Sequence, residues 1–215
     1  MLKINRPKAT KKILIIKLGA LGDLIIATPL IRAIVDNNKR AQIVVLTRRT
    51  YATFFEGCDG VSLITLDGSS WRATFKILLV IRKTFWDKIY DFQGNRKSRT
   101  LTFFCNANEK IGNHRFPNTI YPEETWNKQI HIFYRMKKLL EENGVKDIAQ
   151  APYIKYGKYE KIKINKWLDN HVVNKSFVIL HAGSNQNRQD KRWPFFDILA
   201  SRLYSRGYKI VWIGG

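Results

Sequence analysis

Residues 12–29 read KILIIKLGALGDLIIATP, and this stretch decides the fold. The apolar run at residues 13–16 predicts a short buried strand, because a sheet covered on both faces selects continuous apolar segments. The spacing of Gly19 and Gly22 predicts a tight turn, and the apolar periodicity from Asp23 onward predicts a helix. A strand, a glycine turn and a helix form a βα unit, whose open backbone N–H groups favour polar or anionic ligands.

Asp23 lies at the mouth of this turn, and two interpretations of it remain open. As an N-cap it would accept hydrogen bonds from the first helical amides and contribute about 1 kcal/mol. As a general base it would stand at the carboxyl end of the first parallel strand, where open α/β sheets bind ligands. The helix start is open as well: the helix begins at Asp23 and bends at Pro29, or it begins at Thr28 with Pro29 as its first residue.

The charge of the 215-residue chain predicts an anionic partner. Its 38 Lys and Arg residues against 17 Asp and Glu residues give a net charge of +21, and 45% hydrophobic content is ordinary for a globular core. Nucleic acid, an anionic membrane surface and a phosphorylated substrate are the partners that such a surplus favours, although a lysine-rich proteome would also produce it.

The apolar stretches, the N-terminal segment and the cysteines together predict a cytoplasmic protein with free thiols. No stretch is long and apolar enough to cross a bilayer, and residues 3–12 lack the apolar run of a secretion signal. Cys58 and Cys105 show no metal or redox spacing. The four histidines are scattered and the sequence contains no Asp-x-Asp pair, so we expect no metal site. We expect no other bound cofactor.

Strands and helices alternate along the sequence, which predicts a parallel α/β sheet with helices on both faces. Residues 145–157 are expected to link a first domain, residues 1–150, to an incomplete second one, residues 151–215, and residues 114–124 to form a loop. Phe75, Leu78 and Leu79 are expected on a buried helix face. The predicted strands are 42–47, 61–66, 88–92, 110–112, 176–181 and 208–213, and the predicted helices are 51–56, 71–85, 96–104, 126–143, 159–170 and one that has Pro194 as its first residue.

A second candidate loop, residues 181–194, reads HAGSNQNRQDKRWP. Its small residues, its hydroxyl group and its two adjacent cations before a helix suit a diphosphate, which spreads negative charge over several oxygens. The alternative is a solvated basic loop. The candidate donor-site residues are Gly183, Ser184, Lys191 and Arg192.

Four segments together resemble the heptosyltransferases of glycosyltransferase family nine, the bacterial enzymes that build the inner core of lipopolysaccharide. These segments are Lys17-Leu-Gly-Ala-Leu-Gly-Asp23 with Thr28-Pro29, Tyr90-Asp-Phe-Gln-Gly94 with residues 96–99, Lys110-Ile-Gly112, and Lys191-Arg-Trp-Pro194 after His181-Ala. The resemblance implies a GT-B-like α/β fold, with a Rossmann-like parallel-sheet domain that receives a lipid-linked acceptor and the first part of a second Rossmann-like domain that holds the ADP-sugar.

The resemblance also implies the roles of individual residues in an inverting, metal-independent transfer. Asp23 would take the proton of the acceptor hydroxyl, while Lys191, Ser184 and nearby amides would neutralise the departing diphosphate. The anionic acceptor, a Kdo-lipid or heptosyl-lipid at the cytoplasmic face of the inner membrane, would be bound by Gly19, Gly22, Arg48, Arg72, Lys76, Arg96 and Arg99.

The family pattern continues past Gly214 through an Asp-x-Gly-x-x-His element that this sequence does not contain. We therefore expect a truncated, monomeric transferase with little or no turnover on its own. Two alternatives remain open: a non-catalytic basic α/β protein that binds nucleic acid or an anionic membrane, and a related transferase that uses another nucleotide sugar.

Overall fold

The computed structural model describes residues 11–55, 58–112, 119–120, 129–172, 176–184 and 186–214. The chain divides into two compact units, Met1–Lys155 and Tyr156–Gly215. Among the described residues, none of the helices combines the length and the apolar character that crossing a membrane requires.

The first unit is built on a parallel sheet, whose strand order in the described part of the chain is β3-β2-β1-β4-β5-β6. The chain adds β2 and β3 on one side of β1, and it then adds β4, β5 and β6 on the other side. The strand order therefore reverses between the neighbours β1 and β4. Open sheets of this kind bind ligands in the crevice at that reversal. The strands are β1 (Lys11–Ile16), β2 (Ala41–Arg48), β3 (Val61–Leu66), β4 (Trp86–Asp91), β5 (Ala107–Gly112) and β6 (Thr119–Ile120).

Helices cover both faces of this sheet, as the alternating pattern predicts. Ile13 and Ile15 of β1 point into one apolar cluster, and Leu14 and Ile16 point into another, because successive strand residues face opposite sides. Helices α1 and α4 pack into the first cluster, while α2 and α3 pack into the second. The helices are α1 (Leu21–Asn37), α2 (Trp71–Ile81), α3 (Arg96–Phe104) and α4 (Ile132–Glu142), and a 3₁₀ helix covers Arg49–Phe54.

Helix α1 begins two residues before Asp23, so both predicted starts are wrong. Ala20 is the N-cap, and the first helical hydrogen bond runs from Leu24 N to Ala20 O at 2.9 Å. Thr28 and Pro29 lie inside the helix, where Pro29 has no N–H to donate four residues back. The Thr28 hydroxyl donates to Ile25 O instead, at 2.7 Å, and the helix continues.

Two predicted helices are too long. Helix α2 ends at Ile81, and Phe75 and Leu79 on it are 59% and 42% exposed, so their predicted burial is wrong. The buried residues of α2, on the side that faces the sheet, are Thr74, Leu78 and Ile81. Helix α4 begins at Ile132, because His131 caps it through an Nδ1 that accepts from Phe133 N at 3.3 Å. Residues 126–128 of the predicted helix lie outside the described residues.

The predicted loop at residues 114–124 contains β6, which pairs with β5 through Lys110 and Ile111. The rest of that loop lies outside the described residues. The last residues of the first unit pack against the rest of it. Val145 is buried in its core, and Tyr153 N donates to Thr28 Oγ1 at 2.8 Å.

The second unit has two parallel strands, β7 (Phe177–Leu180) and β8 (Lys209–Trp212). A 3₁₀ helix covers Gln186–Lys191, and the α-helices are α5 (Lys158–Val172) and α6 (Phe196–Ser205). Pro194 is not the first residue of α6, because Phe195 is the N-cap and its carbonyl accepts the first helical hydrogen bond, from Leu199 N at 3.0 Å.

Candidate active site

The candidate site opens where the loops after β1 and β4 meet. The backbone hydrogen bonding between β1 and β4 continues into these loops, because Phe92 N donates to Ile16 O at 3.1 Å. Two residues after Ile16, in the loop that follows β1, Leu18 N donates to the side chain of Gln93 at 3.0 Å. The two loops are therefore fixed to each other at the reversal of strand order, which is the expected position of a ligand crevice.

Lys17 lies beneath this opening, and its side chain is only 2% exposed. Its Nζ atom donates to Phe92 O at 3.3 Å. Burial lowers the pKa of Lys17, while the carboxylates of Asp23 and Asp91 oppose part of that shift. Two carboxylates therefore act electrostatically on the ammonium, one on α1 and one at the end of β4.

Asp91 shapes the loop after β4. Its side chain is buried, and Oδ1 accepts from Gln93 N and Gly94 N, both at 2.9 Å. Asn95 then starts α3 through a capping box with Ser98. The segment from residue 90 to residue 94 therefore has a structural role: it positions the N-terminus of α3 beside the opening.

Asp23 is the third residue of α1, and its side chain is exposed at the opening. It is not an N-cap; it lies in the first turn, where the helix dipole favours a negative charge. In the part of the chain that the structure describes, no heavy atom lies within 4 Å of where a Cβ on Gly22 would be, so a ligand can approach the backbone there. Gly19 instead has a φ of +130°, and a Cβ on it would lie 2.7 Å from Cε2 of Tyr51.

The cations predicted on the acceptor side lie on the elements around this opening. Arg48 ends β2 and is half-buried, and among the described residues no hydrogen-bond partner reaches its Nε. Arg72 and Lys76 are exposed on α2. On α3, Arg96 is exposed and Arg99 is half-buried. Of these five, Arg96 lies in the first turn of the helix that follows β4.

Two nearby cations already have partners. Arg49, adjacent to Arg48, forms a two-pronged ion pair with Asp67. This pair lowers the pKa of the Asp67 carboxyl and raises that of Arg49. Lys97 on α3 donates to the carbonyl of Ser69. Their contribution to binding an anion is correspondingly smaller, because the anion has to compete with these partners.

The second unit brings together two of its four predicted donor-site residues. Arg192 Nε donates to Ser184 Oγ at 3.2 Å. Lys191 is exposed at the end of the 3₁₀ helix and lies five residues before α6, which begins at Phe196 and not at the predicted Pro194. Gly183 is exposed next to Ser184 in the loop after β7. A cationic group and a hydroxyl therefore converge at the carboxyl end of the β7–β8 sheet.

No cluster of three or more His, Cys, Asp or Glu side chains suited to a metal ion occurs in the part of the chain that the structure describes.

Solved structures share this fold. A glycosyltransferase family 9 protein from Veillonella parvula DSM 2008 matches 97% of the chain with a TM-score of 0.82 and 21% identity. The chain has the fold of the family 9 glycosyltransferases. E. coli heptosyltransferase WaaC with ADP matches 95% of it with a TM-score of 0.65 and 19% identity, and WaaC with ADP-2-deoxy-2-fluoro heptose matches 95% with a TM-score of 0.64 and 18% identity.

The family 9 fold confirms the predicted fold class. The chain spans 63% of the length of the Veillonella protein and 67% and 69% of the two WaaC chains. No protein-family model and no curated protein sequence matches the chain.

Sequence reasoning missed the roles of Lys17, Asp91 and Gln93 in this family 9 fold. All three lie in the motifs quoted above, but the sequence does not show which of them are buried or which groups they contact. A signal existed for one of them: Lys17 interrupts an otherwise apolar run between Ile16 and Leu18, and a lysine inside a buried run has to find carboxylate or carbonyl partners.

Proposed function

We propose that the chain is an inverting, metal-independent glycosyltransferase that transfers heptose from ADP-heptose to the inner core of lipopolysaccharide. The observation that carries this proposal is the exposed carboxylate of Asp23 in the first turn of α1, at the reversal of strand order. This carboxylate interacts electrostatically with the buried Lys17. The family 9 fold supports the same class of chemistry, and the heptosyltransferase WaaC, which shares the fold, has been solved with ADP.

Asp23 acts as the general base in this proposal. The acceptor hydroxyl oxygen attacks the anomeric carbon of the heptose, and a new C–O bond forms from the face opposite the diphosphate. The bond between the anomeric carbon and the diphosphate oxygen breaks, and ADP leaves with that electron pair. Asp23 takes the hydroxyl proton, which leaves no charge on the new glycosidic oxygen.

The positions of the neighbouring groups suit this role. Gly22 leaves space beside the carboxylate for the acceptor, and the first-turn amides of α1 point toward the same opening. Lys17 is held by Phe92 O underneath, so its ammonium attracts the negative charge that gathers at the opening without itself occupying the space for substrate.

The donor side is assigned to the loop after β7. Lys191 and Arg192 would neutralise the leaving diphosphate, and Ser184 and the amide next to Gly183 would donate to its oxygens. The Arg192–Ser184 hydrogen bond already orients these two side chains toward each other. No divalent cation is needed if two fixed side-chain charges compensate the diphosphate.

The acceptor in this proposal is a Kdo-lipid or heptosyl-lipid at the cytoplasmic face of the bacterial inner membrane. Its acidic sugars and phosphates would be attracted by exposed and half-buried cations of β2, α2 and α3. Those residues are Arg48, Arg72, Lys76, Arg96 and Arg99.

The donor half of the proposal is tested by titrating the chain with ADP and following tryptophan fluorescence, because Trp193 is exposed next to Arg192. We expect saturable binding that Lys191→Ala weakens roughly 10-fold to 100-fold, the range for a lost charge-assisted hydrogen bond. Lys166→Ala on α5 removes the same charge elsewhere and should leave binding unchanged. Absence of saturable ADP binding would contradict the assignment of this loop.

The catalytic half is tested with ADP-heptose and a Kdo-lipid acceptor, with the protein in excess so that slow transfer is counted by mass spectrometry. Asp23→Asn should lower the rate about 100-fold or more, as expected for a lost general base. Asp36→Asn, at the other end of α1, serves as the control and should keep the rate. Equal transfer by the wild-type chain and Asp23→Asn would exclude Asp23 as the base.

A further inference from the structure

The outward surface of α2 and α3 has an unusual charge distribution. Residues 68–86 and 92–108, which contain these two helices, carry seven Lys and Arg residues and no Asp or Glu. These cations are Arg72, Lys76, Arg82, Lys83, Arg96, Lys97 and Arg99. A net charge spread evenly over the chain would not leave two helices entirely without acidic residues.

The same surface exposes large apolar side chains. Seven of them are between 42% and 59% exposed. They are Trp71, Phe75, Leu79, Val80, Phe85, Phe103 and Phe104. Scattered apolar residues are normal on a surface, but a group interleaved with cations on two neighbouring helices indicates a binding surface.

The two helices are neighbours in space and share this character. Both pack into the apolar cluster on the same face of the sheet. At their N-termini, the guanidinium of Arg96 lies 5.7 Å from the centre of the Trp71 ring, and the ammonium of Lys97 lies 5.8 Å from it. Trp71, Phe75 and Leu79 recur every four residues, so they form one stripe along α2.

An open groove of about 520 Å³ follows α3. It is lined by Arg96, Arg99, Thr100, Phe103 and Phe104. Phe103 and Phe104 form an edge-to-face pair with ring centres 4.9 Å apart, so they present one aromatic edge beside the two arginines. Cations at one end and aromatic rings at the other match the order of headgroup and acyl chain at a membrane surface.

We propose that this α2–α3 face docks onto an anionic lipid bilayer. Its cations would contact lipid phosphates, and its aromatic and aliphatic side chains would enter the boundary between headgroups and acyl chains. Charge complementarity selects an anionic surface, and the aliphatic Leu79 and Val80 select lipid over nucleic acid, whose bases stack on aromatic rings. The inference deepens the proposed function and rests on it for its biological meaning, because a lipid-linked acceptor is met at such a surface.

The docking is tested by co-sedimentation of the chain with vesicles of phosphatidylglycerol mixed with phosphatidylcholine. No donor or acceptor is added, so failure of docking and failure of sugar transfer are observed separately. Each cation near an anionic surface contributes about 1 kcal/mol, or roughly fivefold in partitioning. Arg96→Gln combined with Arg99→Gln should therefore weaken binding roughly 30-fold at low salt.

A matched control separates this face from the overall charge. Lys161→Gln combined with Lys166→Gln removes two exposed cations from α5 in the second unit. This pair should retain nearly wild-type vesicle binding. If both double variants weaken binding equally, the overall charge and not the α2–α3 face causes the binding, and the proposal is overturned.

The apolar part of the surface needs its own variant. Phe75→Ser combined with Phe103→Ser keeps every cation and changes two side chains that are already exposed, so folding should be preserved, as circular dichroism will check. We expect roughly tenfold weaker binding to vesicles and unchanged binding to double-stranded DNA. Unchanged vesicle binding would show a simple polyanion-binding surface and would overturn the proposal.

Discussion

The Nζ atom of Lys17 lies 3.3 Å from the carbonyl oxygen of Phe92, and this contact joins the loop after β1 to the loop after β4. Both loops belong to the candidate site, and the buried Lys17 interacts electrostatically with the carboxylates of Asp23 and Asp91. Removing the ammonium would leave Asp91 buried next to an apolar side chain. Buried charges that lose a partner destabilise a protein far more than surface charges do.

We therefore predict that Lys17→Met lowers the free energy of unfolding by about 3 kcal/mol, measured by urea denaturation. Lys110→Met is the matched control, because Lys110 also donates its Nζ to a phenylalanine carbonyl, that of Phe103 at 2.9 Å, but is only half-buried. The control should lose less than about 1 kcal/mol. Equal losses in the two variants would mean that Lys17 acts only through its hydrogen bond.

The two glycines of the first loop should respond to alanine in opposite ways. Gly19 has a φ of +130° and packs on the Tyr51 ring, so Gly19→Ala should destabilise the chain by roughly 2 kcal/mol. Gly22 is helical and open, so Gly22→Ala should stabilise it by roughly 0.5 to 1 kcal/mol. Thermal unfolding of both variants measures the difference. A stable Gly22→Ala chain with weaker acceptor binding would show that the ligand approaches the backbone there.

Thr28 and Pro29 form a compensating pair inside α1. Pro29 cannot donate to Ile25 O, and the Thr28 hydroxyl donates to it instead while accepting from Tyr153 N. Thr28→Val keeps the shape and removes both hydrogen bonds, so we expect a loss of about 2 kcal/mol. Thr28→Ser, which keeps the hydroxyl, should lose less.

A double-mutant cycle isolates this compensation. Pro29→Ala restores an N–H that can serve Ile25 O, so Thr28→Val should cost only about 1 kcal/mol in that background. Urea denaturation of the four chains gives the coupling energy. Additive effects would show that Ile25 O does not depend on the Thr28 hydroxyl.

The sequence predicts the elements best where a single local signal determines them. The strand at residues 61–66 and the helix at residues 96–104 have the bounds that the structure shows. Both are short segments in which the apolar residues follow one periodicity, that of a strand or that of a helix, and both have clear turn residues on each side. The parallel sheet follows from the alternation of strands and helices, whereas the strand order depends on contacts between distant segments.

The sequence fails where a local signal has two physical meanings. A Thr-Pro pair normally starts a helix, but here the threonine hydroxyl replaces the missing N–H within one. Phe75 and Leu79 have the spacing of a core face, but periodicity does not tell a helix side that meets the sheet from one that meets solvent or a partner. The sequence does not reveal the role of Lys17, because Asp91 and Phe92, two of the groups that it interacts with, lie about 75 residues later in the chain.

Cys105 provides a test of burial on the sheet face covered by α2 and α3. Burial raises the pKa of its thiol from an ordinary 9.0 to about 12, so the unfolded chain loses this proton first as the pH rises. Below pH 9 both states keep the proton and the group has no effect. Between about pH 9 and pH 12 it should lower the free energy of unfolding by about 1.4 kcal/mol per pH unit.

Urea denaturation of the wild-type chain and of Cys105→Ala across this range measures that contribution. Lys17 and Tyr90 also titrate with shifted pKa values, but they do so equally in both chains and cancel in the difference. Lys110 interacts electrostatically with Cys105, so the measured difference includes that interaction as well as the Cys105 thiol itself. We expect wild-type stability to fall relative to the variant as the pH rises above about 9. Cys58→Ala, at a half-buried thiol, should show a weaker dependence of the same sign, because burial also raises the pKa of Cys58. Parallel curves for the wild-type chain and Cys105→Ala would mean that the Cys105 thiol is accessible to water in the folded chain.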